Sequence, residues 1–333
     1  MAAATGPATL QISFVSPQQR QALLDDPHTL AVIGFRAGAR PCPQADPRWL
    51  EIGLQPLDTP VLEVWRSSAP VHHGVDADGL AWACDGTHQL GVLQVDETAF
   101  NGDIAQAAAH AYGIVHDSLK RRGYGHLLRI WNYLDGIVDG PGDQERYRQF
   151  CIGRALGSGQ MENARLPAAT AIGRIDGVRV LQLYWLAARE PGQPVENPRQ
   201  VSAYHYPRQY GPQPPTFARA MLPPAASELP LMLSGTASVV GHQSVHAGDT
   251  VRQLQETFVN FQALLDSARQ HQAGLDNQFS ADSRLKIYLE NAAEVSAIQQ
   301  ALPQWLPGEV PRMLLHARVC RPDLHIEIDG WHS

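Results

Sequence analysis

The same succession of elements runs twice through this chain, and that repeat restricts the fold more than any other feature. In the first run a helical stretch leads to LLRIWNYL (127–134), a second helix, Pro167, and two strands, TAIGR and GVRVLQLYWLAA, around the turn Ile175-Asp176-Gly177. In the second run a helix leads to RLKIYLE, a second helix, Pro311, and two strands, MLLHARV and LHIEI, around Cys320-Arg321-Pro322-Asp323. LLRIWNYL answers RLKIYLE, and PAATAIGRIDGVRVLQL answers PRMLLHARVCRPDLHIEI. A repeat of this size predicts two copies of one α+β unit packed together.

The helices are read from their apolar spacing. Ile104, Ala108, Ala111, Val115 and Leu119 share one face, and Arg121-Arg122-Gly123 supplies a basic last turn and a glycine stop. Val251, Leu254, Phe258, Phe261 and Leu265 form a stripe that predicts an amphipathic helix over 249–269. Further helices are expected near 143–156 and around Val295, Ile298 and Leu302. Residues 1–95 hold the short apolar runs LQISFV, LAVIGF, VLEVW and LGVLQV, read as strands joined by loops, with no functional motif. Residues 190–230 form a long Pro- and Tyr-rich connection. Three tyrosines, two arginines and a phenylalanine between residues 204 and 219 mark it as a binding loop.

Hydrophobic residues make up 44% of the 333, enough for a large core. The formal charge is -7, with no Lys/Arg-rich block, which argues against a nucleic-acid partner. A few local arginines can still gather a small anion against that global charge. No apolar run has the length of a membrane span, and the N-terminal residues lack the pattern of a secretory signal. Cys42, Cys84, Cys151 and Cys320 are far apart, with no CxxC pair, which points to reduced thiols and a cytoplasmic protein. No HEXXH, GxGxxG or P-loop spacing is present, so no metal or nucleotide cofactor is expected.

The last strand carries the most informative residue. Leu324, Ile326 and Ile328 alternate with His325, Glu327 and Asp329, as in a half-buried strand. In the first copy the position matching Glu327 falls at Gln182 or Leu183. The acid therefore belongs to one copy alone, which suggests a specialised site.

The strand SGTAS, the helix from Asp249 to Arg269, KIYLE, Pro311-Arg312 and RPDLHIEI together resemble the RidA/YjgF fold, a small unit that forms trimers with clefts between subunits. With LLRIWNYL, RYRQFCIGR, LPAATAIG, the Tyr/Pro-rich loop, LSGTASVVGH and the terminal Cys-x6-Glu, the chain resembles the chorismatases. That resemblance implies two tandem RidA/YjgF-like (chorismate mutase-like) α+β units in a pseudo-trimer-type arrangement. The first unit is degenerate, within an N-terminal domain of 1–195, and the catalytic unit spans 196–333. It further implies cleavage of chorismate to pyruvate and 3- or 4-hydroxybenzoate, without a cofactor, and a possible homotrimer.

In these terms Glu327 matches the catalytic acid, while Cys320 and Gly235 match positions that separate the aromatising type from the hydrolytic one. Cys320 would shape the pocket or hydrogen-bond the C4 oxygen of the substrate. The dicarboxylate would need arginines, with Arg154 and Arg219 the first choices and Arg312 weaker. Tyr210, Ser234 and Thr236 would supply hydroxyls, and Gly235 would leave room for the ring or a backbone approach. An imine or enamine deaminase, a hydrolytic chorismatase and a non-catalytic metabolite sensor remain as alternatives at this point.

Overall fold

Asp103 and Asp249 open the two long helices by the same device. Each carboxylate accepts backbone N–H groups of the first turn, those of Ala105 and Gln106 for Asp103 and that of Arg252 for Asp249. The computed structural model describes residues 8–42, 45–159, 162–225 and 227–333.

The chain contains the expected unit three times, not twice. The first copy is β1 (Leu10–Val15), α1 (Arg20–Asp25), β2 (Thr29–Phe35), β3 (Trp49–Ile52) and β4 (Leu62–Ser67). The second is β5 (His88–Asp96), α2 (Ile104–Arg122), β6 (His126–Asp135), α3 (Arg146–Ser158), β7 (Ala168–Arg174) and β8 (Val180–Ala188). The third is β9 (Leu231–Ala237), α4 (Thr250–Arg269), β10 (Arg284–Leu289), α5 (Val295–Ala301), β11 (Arg312–His316) and β12 (Ile326–His332).

The units' strands run β1-β4-β2-β3, β5-β8-β6-β7 and β9-β12-β10-β11, each within its own sheet; the second sheet is extended by two edge strands (His72–Val75 and Ala81–Cys84) and the third by Gln193–Val195, Ala220–Leu222 and Gln55–Pro56. In each, the second and third strands of the unit pair in parallel, and the last strand lies antiparallel between the first and second. This identity of order and direction makes residues 10–67 a third, degenerate copy. Its helix is one short piece, Arg20–Asp25, and the segment between β2 and β3 carries no helix among the described residues.

One buried cluster joins the three sheets. Trp65 of β4 meets Trp131 of β6 and Trp331 of β12 edge-on, at centroid distances of 6.2 and 5.4 Å, and Tyr184 of β8 stacks on Trp131 at 4.4 Å. All four are fully buried. Three units thus share one aromatic centre within a single chain. The same packing corrects the reading of the last strand as half-solvated. Every residue of β12 is buried, because its second face packs against the other two units. Among the described residues no helix is long and apolar enough to cross a membrane.

Candidate active site

Backbone geometry brings Glu327 to a cleft between the second and third units. Pairing opposite Tyr288 on β10 and Ala237 on β9 fixes its register. A cavity of about 530 Å³ opens there, lined from the second unit by Tyr147, Arg154 and Thr170 and from the third by Gly235, Cys320 and Glu327. The long connection closes it with Tyr206, Tyr210, Phe217 and Arg219. The Tyr/Pro-rich segment is thus a wall of the cavity, held by 3-10 turns at Ala203–His205 and Arg208–Tyr210.

Glu327 is 5% exposed. Burial, with the charge of Asp329 added, lifts its carboxyl to about 8, against the opposing pull of Arg129, Arg219 and Arg321. At neutral pH it therefore carries a proton. Gly235 makes this placement possible: a Cβ built there would lie 2.0 Å from Glu327 Oε1. The glycine leaves room for the acid itself, a closer constraint than the room for a ring expected from sequence.

Cys320 lies half-buried beside Glu327, packed against Ala237, Val239, Val319 and Leu324. Burial and then the neighbouring Glu327 charge push its thiol well above the ordinary range, so it stands as a neutral S–H, not a thiolate. Behind it Cys151 is also raised by burial, to about 11.

Arg154 on α3 and Arg219 both reach the cavity. Arg154 donates to the carbonyl of Thr216, and Arg219 donates to Val201 O (2.9 Å) and Tyr206 Oη (2.8 Å). Arg321 was missed in sequence although it adjoins Cys320. Its guanidinium lies 4.1 Å from the ring of Tyr210 and 5.1 Å from that of Tyr206. It donates to His242 O (2.9 Å) and Ser244 Oγ (3.2 Å). Among the described residues Arg154, Arg219 and Arg321 form no ion pair with a carboxylate; Arg148, at the rim, is close to Asp143 and Glu145. Tyr210 Oη meets His242 Nδ1 at 3.2 Å.

Three residues nominated from sequence lie outside the cavity lining. Ser234 and Thr236 are buried on the opposite side of β9 from Gly235, and neither lines the cavity. Ser234 Oγ donates to Ala218 O (2.6 Å) and accepts the amide of Ala169 (2.9 Å); Thr236 Oγ1 donates to Ser234 O (3.0 Å). The Ser234 hydroxyl thus joins β9 to the second unit and the long connection, while that of Thr236 satisfies a carbonyl on its own strand. Arg312 donates to Val310 O and is also outside the cavity. Thr170, unnoticed in sequence, does line it. Its Oγ1 accepts the amide of Gly235 (3.1 Å) and donates to Asp329 Oδ2 (2.7 Å).

The protein is thus one of three repeated α+β units, with a buried acid and three arginines, free of carboxylate partners among the described residues, lining one cleft. Residues 63–187 match the family described as chorismatase FkbO/Hyg5-like, N-terminal. A chorismatase of Streptomyces rapamycinicus is 35% identical over 281 residues, 82% of this chain and 82% of that one. A 3-hydroxybenzoate synthase of Streptomyces hygroscopicus is 35% identical over 292 residues, 84% of each. A crystal structure of a chorismatase superposes with a TM-score of 0.87 at 31% identity, covering 99% of this chain and 100% of the other. The chain belongs to the chorismatase family.

Proposed function

We propose that this protein cleaves chorismate to pyruvate and 3- and/or 4-hydroxybenzoate by acid–base chemistry centred on Glu327. One observation carries the reading: a buried carboxyl whose proton affinity is raised, in a cavity also lined by Arg154, Arg219 and Arg321, none of them engaged by a protein carboxylate among the described residues. Chorismate is a dicarboxylate with an enol ether, and those three cations are suited to its two carboxylates. Glu327 would donate its proton to the enolpyruvyl methylene carbon. Breaking the bond between ring C3 and the ether oxygen then releases pyruvate and leaves its electron deficit on the ring. Loss of the C4 proton gives 4-hydroxybenzoate, with Glu327 now the available base. The reaction is atom-balanced and consumes no oxidant. The 3-isomer needs the C4 oxygen to bond to C3 as the ether oxygen leaves, after which the C4–O bond opens and a ring proton is lost; a neutral Cys320 thiol in the cavity would hydrogen-bond that oxygen rather than attack carbon.

In this reading residues 196–333 carry the acid, and residues 1–195 contribute one wall of the pocket and the rest of the ring. The cavity draws its lining from the second unit, the third unit and the long connection of one chain. The four unpaired cysteines support a cytoplasmic location. The test is incubation of purified protein with chorismate, without added metal or nucleotide, and chromatographic resolution of pyruvate, both hydroxybenzoates and the dihydroxycyclohexadiene acid. Pyruvate with hydroxybenzoate is the expected result. Pyruvate with the dihydroxy acid alone would replace aromatisation by hydrolysis, and no pyruvate would overturn the reading.

A further inference from the structure

Behind Glu327 a line of buried charges crosses the centre of the molecule. Glu63 on β4, Lys286 on β10, and Arg129 on β6 with Asp329 on β12 are all 0% exposed. Lys286 Nζ donates to Glu63 Oε2 (2.9 Å) and to Tyr184 Oη (2.7 Å) and lies 3.6 Å from Asp329 Oδ1. Asp329 Oδ2 accepts from Thr170 Oγ1 (2.7 Å), Tyr288 Oη (3.0 Å) and Trp131 Nε1 (3.1 Å), with Arg129 at 3.3 Å. Its Oδ1 has no hydrogen-bond partner among the described residues. Asp329 follows Glu327 by two residues on the same strand, so both carboxyls leave the same face.

The line draws on all three units. Glu63 comes from the first, Arg129, Thr170 and Tyr184 from the second, and Lys286 and Asp329 from the third. Two anions share one lysine, and the lysine is closer to Glu63 than to Asp329. Four buried charges with such partial pairing are costly to keep unless something uses them. Glu327 is the group they can act on. It faces Asp329 from its own strand, Arg129 from β6, Arg219 and Arg321 from the loops, Cys320, and the Tyr147 phenol from α3.

We propose that Asp329 is a positioning residue for Glu327, and that Glu63 of the degenerate first unit sustains its influence by holding Lys286 away from it. Through Thr170, Asp329 also fixes the Gly235 amide and hence the gap the acid occupies. The first unit, which contributes no side chain to the cavity, thereby helps decide where Glu327 gives up its proton. The inference rests on the reading of Glu327 as the acid, but its sign can be checked without turnover.

The test compares Glu63→Gln with the double variant Glu63→Gln/Lys286→Met, which removes the pair with no net change of charge. The titration of Glu327 is followed by isotope-edited infrared difference spectroscopy, assigned with Glu327→Gln, alongside pH profiles of kcat/KM. In Glu63→Gln, Lys286 is free to neutralise Asp329. The Glu327 midpoint is expected to fall by about one pH unit, a tenfold change in its proton affinity. The double variant removes the cation nearer the acid, and the midpoint is expected to stay or rise. A midpoint unmoved in both variants, or a uniform loss of kcat at every pH, would overturn the proposal and leave the line a structural feature. If Glu63→Gln does not fold, the sign in the charge-balanced double variant and in Asp329→Asn, where the midpoint should fall, decides alone. A spectroscopic shift without a matching shift in activity would keep the charge line and sink Glu327 as the acid.

Discussion

Glu327 is held in a form that helps chemistry and costs stability. Its proton affinity is higher in the folded protein than in the unfolded chain, whose value lies near 4.5. Its contribution to stability is therefore fully present below about 4.5 and is lost as pH rises through about 8. Glu327→Gln should be more stable than the parent at pH 9 by up to a few kcal/mol, since each tenfold rise in proton affinity is worth about 1.4 kcal/mol, and close to it at pH 4. Denaturant titration at the two pH values checks this. The same variant should lose about 10²- to 10⁴-fold in kcat, the usual worth of a general acid. In the parent, kcat/KM should decline above pH 8 as the carboxyl ionises. Gly235→Ala should displace the carboxyl, because the new methyl occupies its position. A drop of about 10²-fold in kcat, with a crystal structure showing Glu327 in another rotamer, is the expected outcome; unchanged kinetics would show that the gap is not needed.

The wall opposite Glu327 is a segment with little regular structure, yet its side chains are fixed by stacking. Arg321 on Tyr210 and Tyr206 ties this segment to the turn after β11, and Arg208 joins it to Asp143 at 2.6 Å. The second of these is exposed and worth little. The first is half-buried at the cavity and holds a cation where an anionic substrate would lie. Arg321→Ala should raise KM about tenfold or more with a smaller change in kcat, while Arg321→Lys should recover charge but not the flat stack. Steady-state kinetics separates the two effects. Equal loss in both variants would assign the role to geometry, and no change in KM would remove Arg321 from substrate binding.

Three units sharing one aromatic centre should unfold together. Trp65 lies in the first unit and touches tryptophans of the other two. Truncation to alanine should cost about 3–5 kcal/mol and lower the midpoint of the whole transition, not of one segment. Coincident denaturation curves by far-UV circular dichroism and by fluorescence would bear this out; two separated transitions would show that the first unit folds independently.

Much of the second and third units was legible because their helices are long and amphipathic and their strands alternate, so periodicity reports them. Glu327 stood out because its counterpart in the second unit, opposite Tyr133 as Glu327 is opposite Tyr288, is Gln182. The first unit was not legible. With one short helix and brief strands, it lacks the 3.6-residue signal that marks the other two, and only strand order reveals the repeat. Ser234 and Thr236 lie outside the cavity because adjacency to Gly235 in sequence does not give a shared face on a strand. Thr170 was missed for the converse reason: it reaches the site across units, and no local spacing encodes that; Arg321 adjoins Cys320 in the third unit, and only the fold of the turn after β11 brings its guanidinium to the cavity. Local pattern specified the elements and nominated the acid. The proton on Glu327, the vacancy that admits it and the charges behind it follow from burial, which arises when three distant segments exclude water from the same place.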